Sequence, residues 1–145
     1  MNILKIKTKK RLLGDFGERA ARRFLKRSGY RIIKKNFVAN GHEIDVIAED
    51  KQTQAFVEVK TRTIGKEHPN EPRPASSVDA QKQRSIIKAA QFYTAYNPIN
   101  KKKRFDIIEV YVNQNNDKYS VAEIKHLKGA FNLNTAFSPS ERNKK

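Results

Sequence analysis

A chain of 145 residues is long enough for one domain with an open sheet and a few helices, and short for two. Its 31 Lys plus Arg against 15 Asp plus Glu give a net charge of +16, which favours a polyanionic partner such as nucleic acid and, less strongly, an anionic membrane surface. The absence of cysteine excludes disulfides, zinc–thiolate sites and cysteine nucleophiles, and without a signal-peptide-like core or a membrane-length apolar run a cytoplasmic protein is expected.

Residues 1–10 are basic and expected to be flexible. Residues 11–28 have helical spacing, with Leu13, Phe16, Ala20, Phe24 and Leu25 on one side and Gly29 as a stop. Gly14 and Gly17 lower helix propensity and point to a close approach by a neighbouring element. Glu18 lies on the flank of the apolar stripe, where spacing alone favours an exposed i, i+4 pair with Arg22 over a side chain that looks along the sheet.

Residues 30–38 read as a strand and Asn40-Gly41 as a turn; two more strands follow at 43–48 and 54–60, completing a three-stranded meander. A period of two puts Glu43 and Asp45 on one face of the second strand, and Glu58 and Lys60 on one face of the third. Residues 63–75, with three prolines, are too broken for an element and have the length of a lid or substrate-contacting loop, or of a loop without function. Ser76 with Asp79 resembles a capping box and opens a helix that runs to about Tyr96, where Asn97-Pro98 halts it. Ile86, Ala89, Ala90, Tyr93 and Asn97 mark its inner face. Lys82 falls near the middle of that face, either snorkelling past the helix end or pointing at a phosphate, and Gln81 sits at the rim.

The run Lys101-Lys102-Lys103-Arg104 reads as a solvated or backbone-contacting loop. Residues 105–112 alternate as a strand, with Asp106 and Glu109 on opposite faces, residues 113–117 turn the chain, and 118–127 form an edge strand. Residues 132–145 read as a loose polar tail. The order α-β-β-β-α-β-β predicts one α/β domain over residues 11–131, built on a mixed sheet of about five strands.

The acids are where a basic chain should not have them. Residues 1–35 carry 13 Lys/Arg and 2 acids, whereas residues 43–60 carry 5 acids and 2 Lys. Hydrolysis of a phosphodiester calls for a hard divalent cation such as Mg²⁺ or Mn²⁺, held by one or two carboxylates with waters and substrate phosphate. Asp45 and Glu58 meet that need from two strands, with a backbone carbonyl near Val59 as a third oxygen, and Lys60 is set to hold the attacking water or steady developing charge. A surface ion pair explains Glu-x-Lys by itself, but here the charges interleave with Ile44, Val46, Val57 and Val59 as in central strands.

Gly14-Asp15-Phe16-Gly17-Glu18-Arg19-Ala20-Ala21, Glu43-Ile44-Asp45-Val46-Ile47-Ala48, Phe56-Val57-Glu58-Val59-Lys60-Thr61-Arg62, Lys82, Arg104-Phe105-Asp106 and His126-Leu127-Lys128-Gly129-Ala130-Phe131 together resemble the YraN family of bacterial proteins, over roughly residues 11–131. That family is similar to the PD-(D/E)xK nucleases, nearest to archaeal-type Holliday junction resolvases. The resemblance implies the restriction-endonuclease-like fold, with Glu18 the helix-borne acid, Asp45 and Glu58 the metal carboxylates and Lys60 the catalytic lysine. His42 departs from the family's usual Gly-Glu-Ile-Asp as an insertion expected in the turn. The resulting expectation is a Mg²⁺- or Mn²⁺-dependent endonuclease on structured or branched DNA, with a two-fold dimer as its candidate assembly. Arg62, Arg73, Lys82, Lys101, Lys102, Lys103 and Arg104 would grip the backbone, with Glu43 and Gln81 as accessories. The alternative is a binding module for DNA or RNA that does not cut.

Overall fold

In the computed structural model, which describes residues 8–64 and 78–137, the first helix begins earlier than its apolar stripe suggests. Helix α1 spans Lys9–Arg27 because Thr8 caps it, its hydroxyl accepting from the Arg11 amide at 3.2 Å. Lys9 and Lys10 are therefore helical and not part of a flexible arm. The rest of that expected arm, residues 1–7, lies outside the described residues, as do most of the 63–75 loop, Ser76 and residues 138–145. The helix ends at Ser28, and Gly29 takes a φ of 91° that favours glycine.

Strand β1 (Arg31–Ala39) turns through Asn40-Gly41, both at positive φ, into β2 (His42–Glu49). His42 is thus the first residue of β2, paired with Ala39, and not a turn residue, and its Nδ1 lies 2.7 Å from Ser85 Oγ. Strand β3 (Thr53–Thr63) leads to helix α2 (Ala80–Tyr96), whose N-cap is Asp79 itself, accepting from the Lys82 amide at 2.8 Å. The start expected at Ser76 is therefore not where the helix begins.

Strand β4 (Lys102–Asn115) takes in three of the four basic residues expected in a loop, and β5 (Lys118–Phe131) runs four residues beyond its expected end. The expected tail opens with a short helix, α3 (Leu133–Ala136), closed by a capping box between Asn132 and Thr135. It is docked: Arg84 Nη1 donates to the Ala136 carbonyl at 3.0 Å, and Thr135 Oγ1 to Gln83 Oε1 at 3.1 Å.

The strands lie in the order β1-β2-β3-β4-β5. Only β3 and β4 pair in parallel, joined by the crossover that contains α2; the other neighbours are antiparallel. Helices cover both faces. Ile44, Ile47, Phe56 and Ile107 pack with Ile86, Ala90 and Tyr93 of α2, while Val46, Val57, Ile108 and Val110 pack with Ala20, Ala21 and Leu25 of α1. The result is the α/β architecture with a mixed five-stranded sheet that the element order predicts.

Of the two glycines within α1, only Gly17 serves a close approach. A Cβ there would run into the Thr61 side chain on β3, whereas one at Gly14 would meet nothing within 4 Å. Gly17→Ala should therefore cost about 1–3 kcal/mol from overpacking, and Thr61→Ala added to it should recover most of the loss. Thermal melts of the two single variants and the double check this; equal and additive losses would refute the contact.

Candidate active site

The acids gather where the sheet forks. β2 and β3 pair only from Glu49↔Gln54 to Val46↔Val57, yet both continue: β2 stays on β1 as far as Ala39↔His42, and β3 stays on β4 to Thr63↔Val112. Asp45 is the first β2 residue past the fork. Its Oδ2 accepts the Val59 amide at 2.8 Å, standing in for the ladder bond that the divergence removes. On the β1 side, Asp45 lies opposite Asn36, which takes a φ of 52°. Here the period of two breaks: Ile44 packs on the α2 side and Val46 on the α1 side, so Asp45 sits at a change of face.

Glu58 alternates with Val57 and Val59, which face α1, and so projects toward α2. It is 4% exposed, its carboxyl lies beside that of Asp45, and its Oε2 lies 3.4 Å from Lys82 Nζ. Apart from that ion pair, Oε2 has no hydrogen-bond partner. Burial first, and then the bond to and charge of Asp45, raise Glu58 from an ordinary 4.5 to about 8, against the opposing pull of Lys82 and Lys60. Glu18 reaches the same cluster from α1. Burial, then Asp45, Asp15 and Glu43, push it to about 7, with Arg22 opposing. At neutral pH Glu58 keeps a proton within the Asp45–Glu58 pair.

This has a measurable consequence. Glu58 holds its proton in the folded protein up to about pH 8 but releases it near 4.5 when unfolded, so stability falls as pH rises through that window. Glu58→Gln removes the penalty. In chelator it should match the parent at pH 4 and exceed it at pH 8 by on the order of 2 kcal/mol, read from chemical denaturation at the two pH values. A difference that does not change with pH would rule out the retained proton.

The expected site residues divide into groups. Glu18, Asp45, Glu58 and Lys82 converge at the fork, and Lys60, half-buried, follows Glu58 on the same face of β3. Glu43 is exposed but contributes to the field at Glu18. Gln81, Arg62 and Lys102 are exposed, and Arg73 lies outside the described residues. Three cations of the basic run turn inward: Lys101 Nζ binds Glu49 Oε1 at 3.1 Å, Lys103 Nζ donates to the Ile99 carbonyl at 3.1 Å, and Arg104 is committed to Asp106 at 2.8 Å. No three acid or histidine side chains converge as a ready cation cage among the described residues; Asp45 and Glu58 are the two neighbouring carboxyl groups at the fork that could hold a cation.

Sequence reasoning missed the link from Lys82 to Glu58. No spacing rule connects a helix residue to a strand residue 24 positions earlier; the only available signal was that both charges fell on inward faces.

Among protein-family models, the chain matches the one described as Uncharacterised protein family UPF0102 over residues 17–110. The chain belongs to that family. This is the YraN family to which the motifs point, and the matched stretch contains Glu18, Asp45, Glu58, Lys60 and Lys82. The chain is 41% identical to the UPF0102 protein of Caldanaerobacter subterraneus subsp. tengcongensis over 126 residues, which is 86% of this chain and 98% of that relative. It is 43% identical over 122 residues to the UPF0102 protein of Persephonella marina, covering 83% and 93% of the two, and 40% identical over 124 residues to that of Clostridium acetobutylicum, covering 83% and 93%. UPF0102 membership thus extends over almost the whole of these relatives. No helix among the described residues is long and apolar enough to cross a membrane.

Proposed function

We propose that this UPF0102 chain is a divalent-metal-dependent nuclease acting on structured or branched DNA, with its reaction centre at the fork between β2 and β3. The observation that carries the reading is the placing of the buried Glu58 carboxyl beside half-buried Asp45 at the fork, inside a chain of net charge +16. Acids held at such cost are what a hard cation needs for ligands. Glu58 Oε2 has no hydrogen-bond partner, only the Lys82 ammonium at 3.4 Å, and so could serve as a ligand oxygen.

Bound between Asp45 and Glu58, Mg²⁺ or Mn²⁺ would supply positive charge for the phosphate oxygens and acidify an attacking water. The chain's own residues do the rest. The Val59 amide fixes the Asp45 carboxylate from the side away from its second oxygen. Lys60, next along the face from Glu58, orients the water and stabilises charge on the phosphate. Lys82, tethered to Glu58 in the free protein, transfers to the substrate phosphate once the pair is otherwise neutralised. Glu18, held near pH 7, is poised to exchange a proton with the leaving oxygen or with water at the site.

One observation favours a rival. Lys82 Nζ already lies 3.4 Å from Glu58 Oε2 and brings an internal positive charge to the Asp45–Glu58 pair, an arrangement that suits a nucleic-acid-binding module which does not cut. Incubation of the purified chain with four-way, flap and linear DNA, with and without Mg²⁺ or Mn²⁺, separates the two. Metal-dependent cleavage with a preference for branched substrates is expected; tight binding without any metal-dependent product would overturn the nuclease reading in favour of the rival.

A further inference from the structure

We infer a second nucleic-acid contact, a groove between α1 and β5 that takes an unpaired stretch of the strand, its phosphates on Arg19, Arg23 and Arg27 and its bases against an apolar floor. This inference rests on the nucleic-acid partner proposed above, but not on cleavage.

The groove exists because β5 is irregular. Val112 pairs with Val121 and Tyr111 with Glu123, so Ala122 is bulged out of the ladder. The bulge lets Val121 and Ile124, which are three positions apart, both lie opposite residues of the α1-facing core, Val112 and Val110. With Phe16 and Phe24 of α1 they line a cavity of about 270 Å³. Val121 is 44% exposed there, an uncovered apolar side chain on an edge strand.

Arg19, Arg23 and Arg27 recur every fourth residue and so stack along one side of α1, forming the rim of this cavity. All three are exposed, and none has an acid partner among the described residues. No acid among the described residues pairs with the stripe to relieve its charge repulsion, a condition that favours binding of a polyanion with counterion release. A duplex backbone would satisfy the arginines but leave the floor wet. An unpaired segment satisfies both, since each base offers an apolar face and each linkage a phosphate. Branched and flap DNA supply such segments. On the same helix Glu18 belongs to the fork, so one element would carry both contacts.

Fluorescence anisotropy in chelator, so that nothing is cut, tests this with a dodecamer of thymidine, an abasic strand of equal length and a polyglutamate peptide. The parent should bind the thymidine strand about tenfold tighter than the abasic strand, and polyglutamate should compete poorly. The Arg19→Gln, Arg23→Gln, Arg27→Gln triple variant, altered only at exposed positions, should lower the slope of log affinity against log salt by about 2, from three lost phosphate contacts at roughly 0.7 each. Val121→Glu, also exposed, should abolish the preference for bases. Equal binding of thymidine and abasic strands, equal competition by polyglutamate, or unchanged binding by both groove variants would each overturn the groove while leaving the fork intact. Failure of the parent to bind any oligonucleotide would overturn both.

Discussion

Asp45→Asn is expected to reduce metal-dependent cleavage on the order of 10³-fold without destabilising the protein. The amide oxygen of asparagine can still accept the Val59 amide, so the fork keeps that bond. The charge that leaves is one that raises both Glu18 and Glu58, and its removal relieves repulsion that the fold now carries. A variant that melts at or above the parent temperature while losing activity is the signature of a site kept for function at the expense of stability. Lys60→Ala should cost about 10²–10³-fold in kcat with little change in metal affinity, because it supports developing charge and is not a ligand. Single-turnover cleavage across a Mn²⁺ titration, with melting temperatures alongside, distinguishes these cases. If Asp45→Asn kept parental activity, or lost it only by unfolding, the fork would not be the reaction centre.

The acids of this site were legible in the sequence and their arrangement was not. Asp45, Glu58 and Lys60 stand out because charges interrupt β-branched strands, and the strand order follows from turn residues such as Asn40-Gly41. Strict alternation nevertheless fails at Asp45, where β2 leaves β3, since a fork depends on what each strand pairs with on its far side. Spacing favoured an exposed Glu18–Arg22 pair, whereas Glu18 is half-buried, and burial first, then Asp45 and Glu43 of β2 together with Asp15 of its own helix, hold its proton. Helix α3 escaped notice because four residues carry too little periodicity; only Asn132 and Thr135 as cap partners could have signalled it. Arg104 was the most misleading residue. Composition placed it with three lysines as a surface cation, yet its guanidinium faces a carboxylate that the same short motif supplies two residues later.

That carboxylate sets the second large expectation. Asp106 is fully buried and accepts four hydrogen bonds: from Arg104 Nε and Nη2 at 2.8 Å each, from the Gly129 amide at 2.9 Å, and, when the ring carries that proton, from His126 Nε2 at 2.8 Å. Arg104 Nη2 also donates to Tyr30 Oη at 2.7 Å, so the cluster ties β4 and β5 to the start of β1. Asp106→Ala would strand Arg104 without a counter-charge and His126 without its hydrogen-bond partner, and breaking a buried pair in this way costs about 3–5 kcal/mol, enough to lower the melting temperature by roughly 10 °C or more. The pH dependence is opposite in sign to that of Glu58. Burial alone would raise Asp106, but the bonds from His126, Arg104 and Gly129 outweigh it and hold the group below its ordinary 3.8. The stabilisation is therefore complete above that value and lost as pH falls through the lower folded one, so parent and variant should converge in strong acid and differ fully at pH 7. Arg104→Gln should lose most of the same stability and leave the salt dependence of DNA binding unchanged, whereas a backbone-contacting arginine would do the reverse. A variant at Arg104 that folds normally but binds DNA with a reduced salt slope would show that this guanidinium is spent on the partner and not on Asp106.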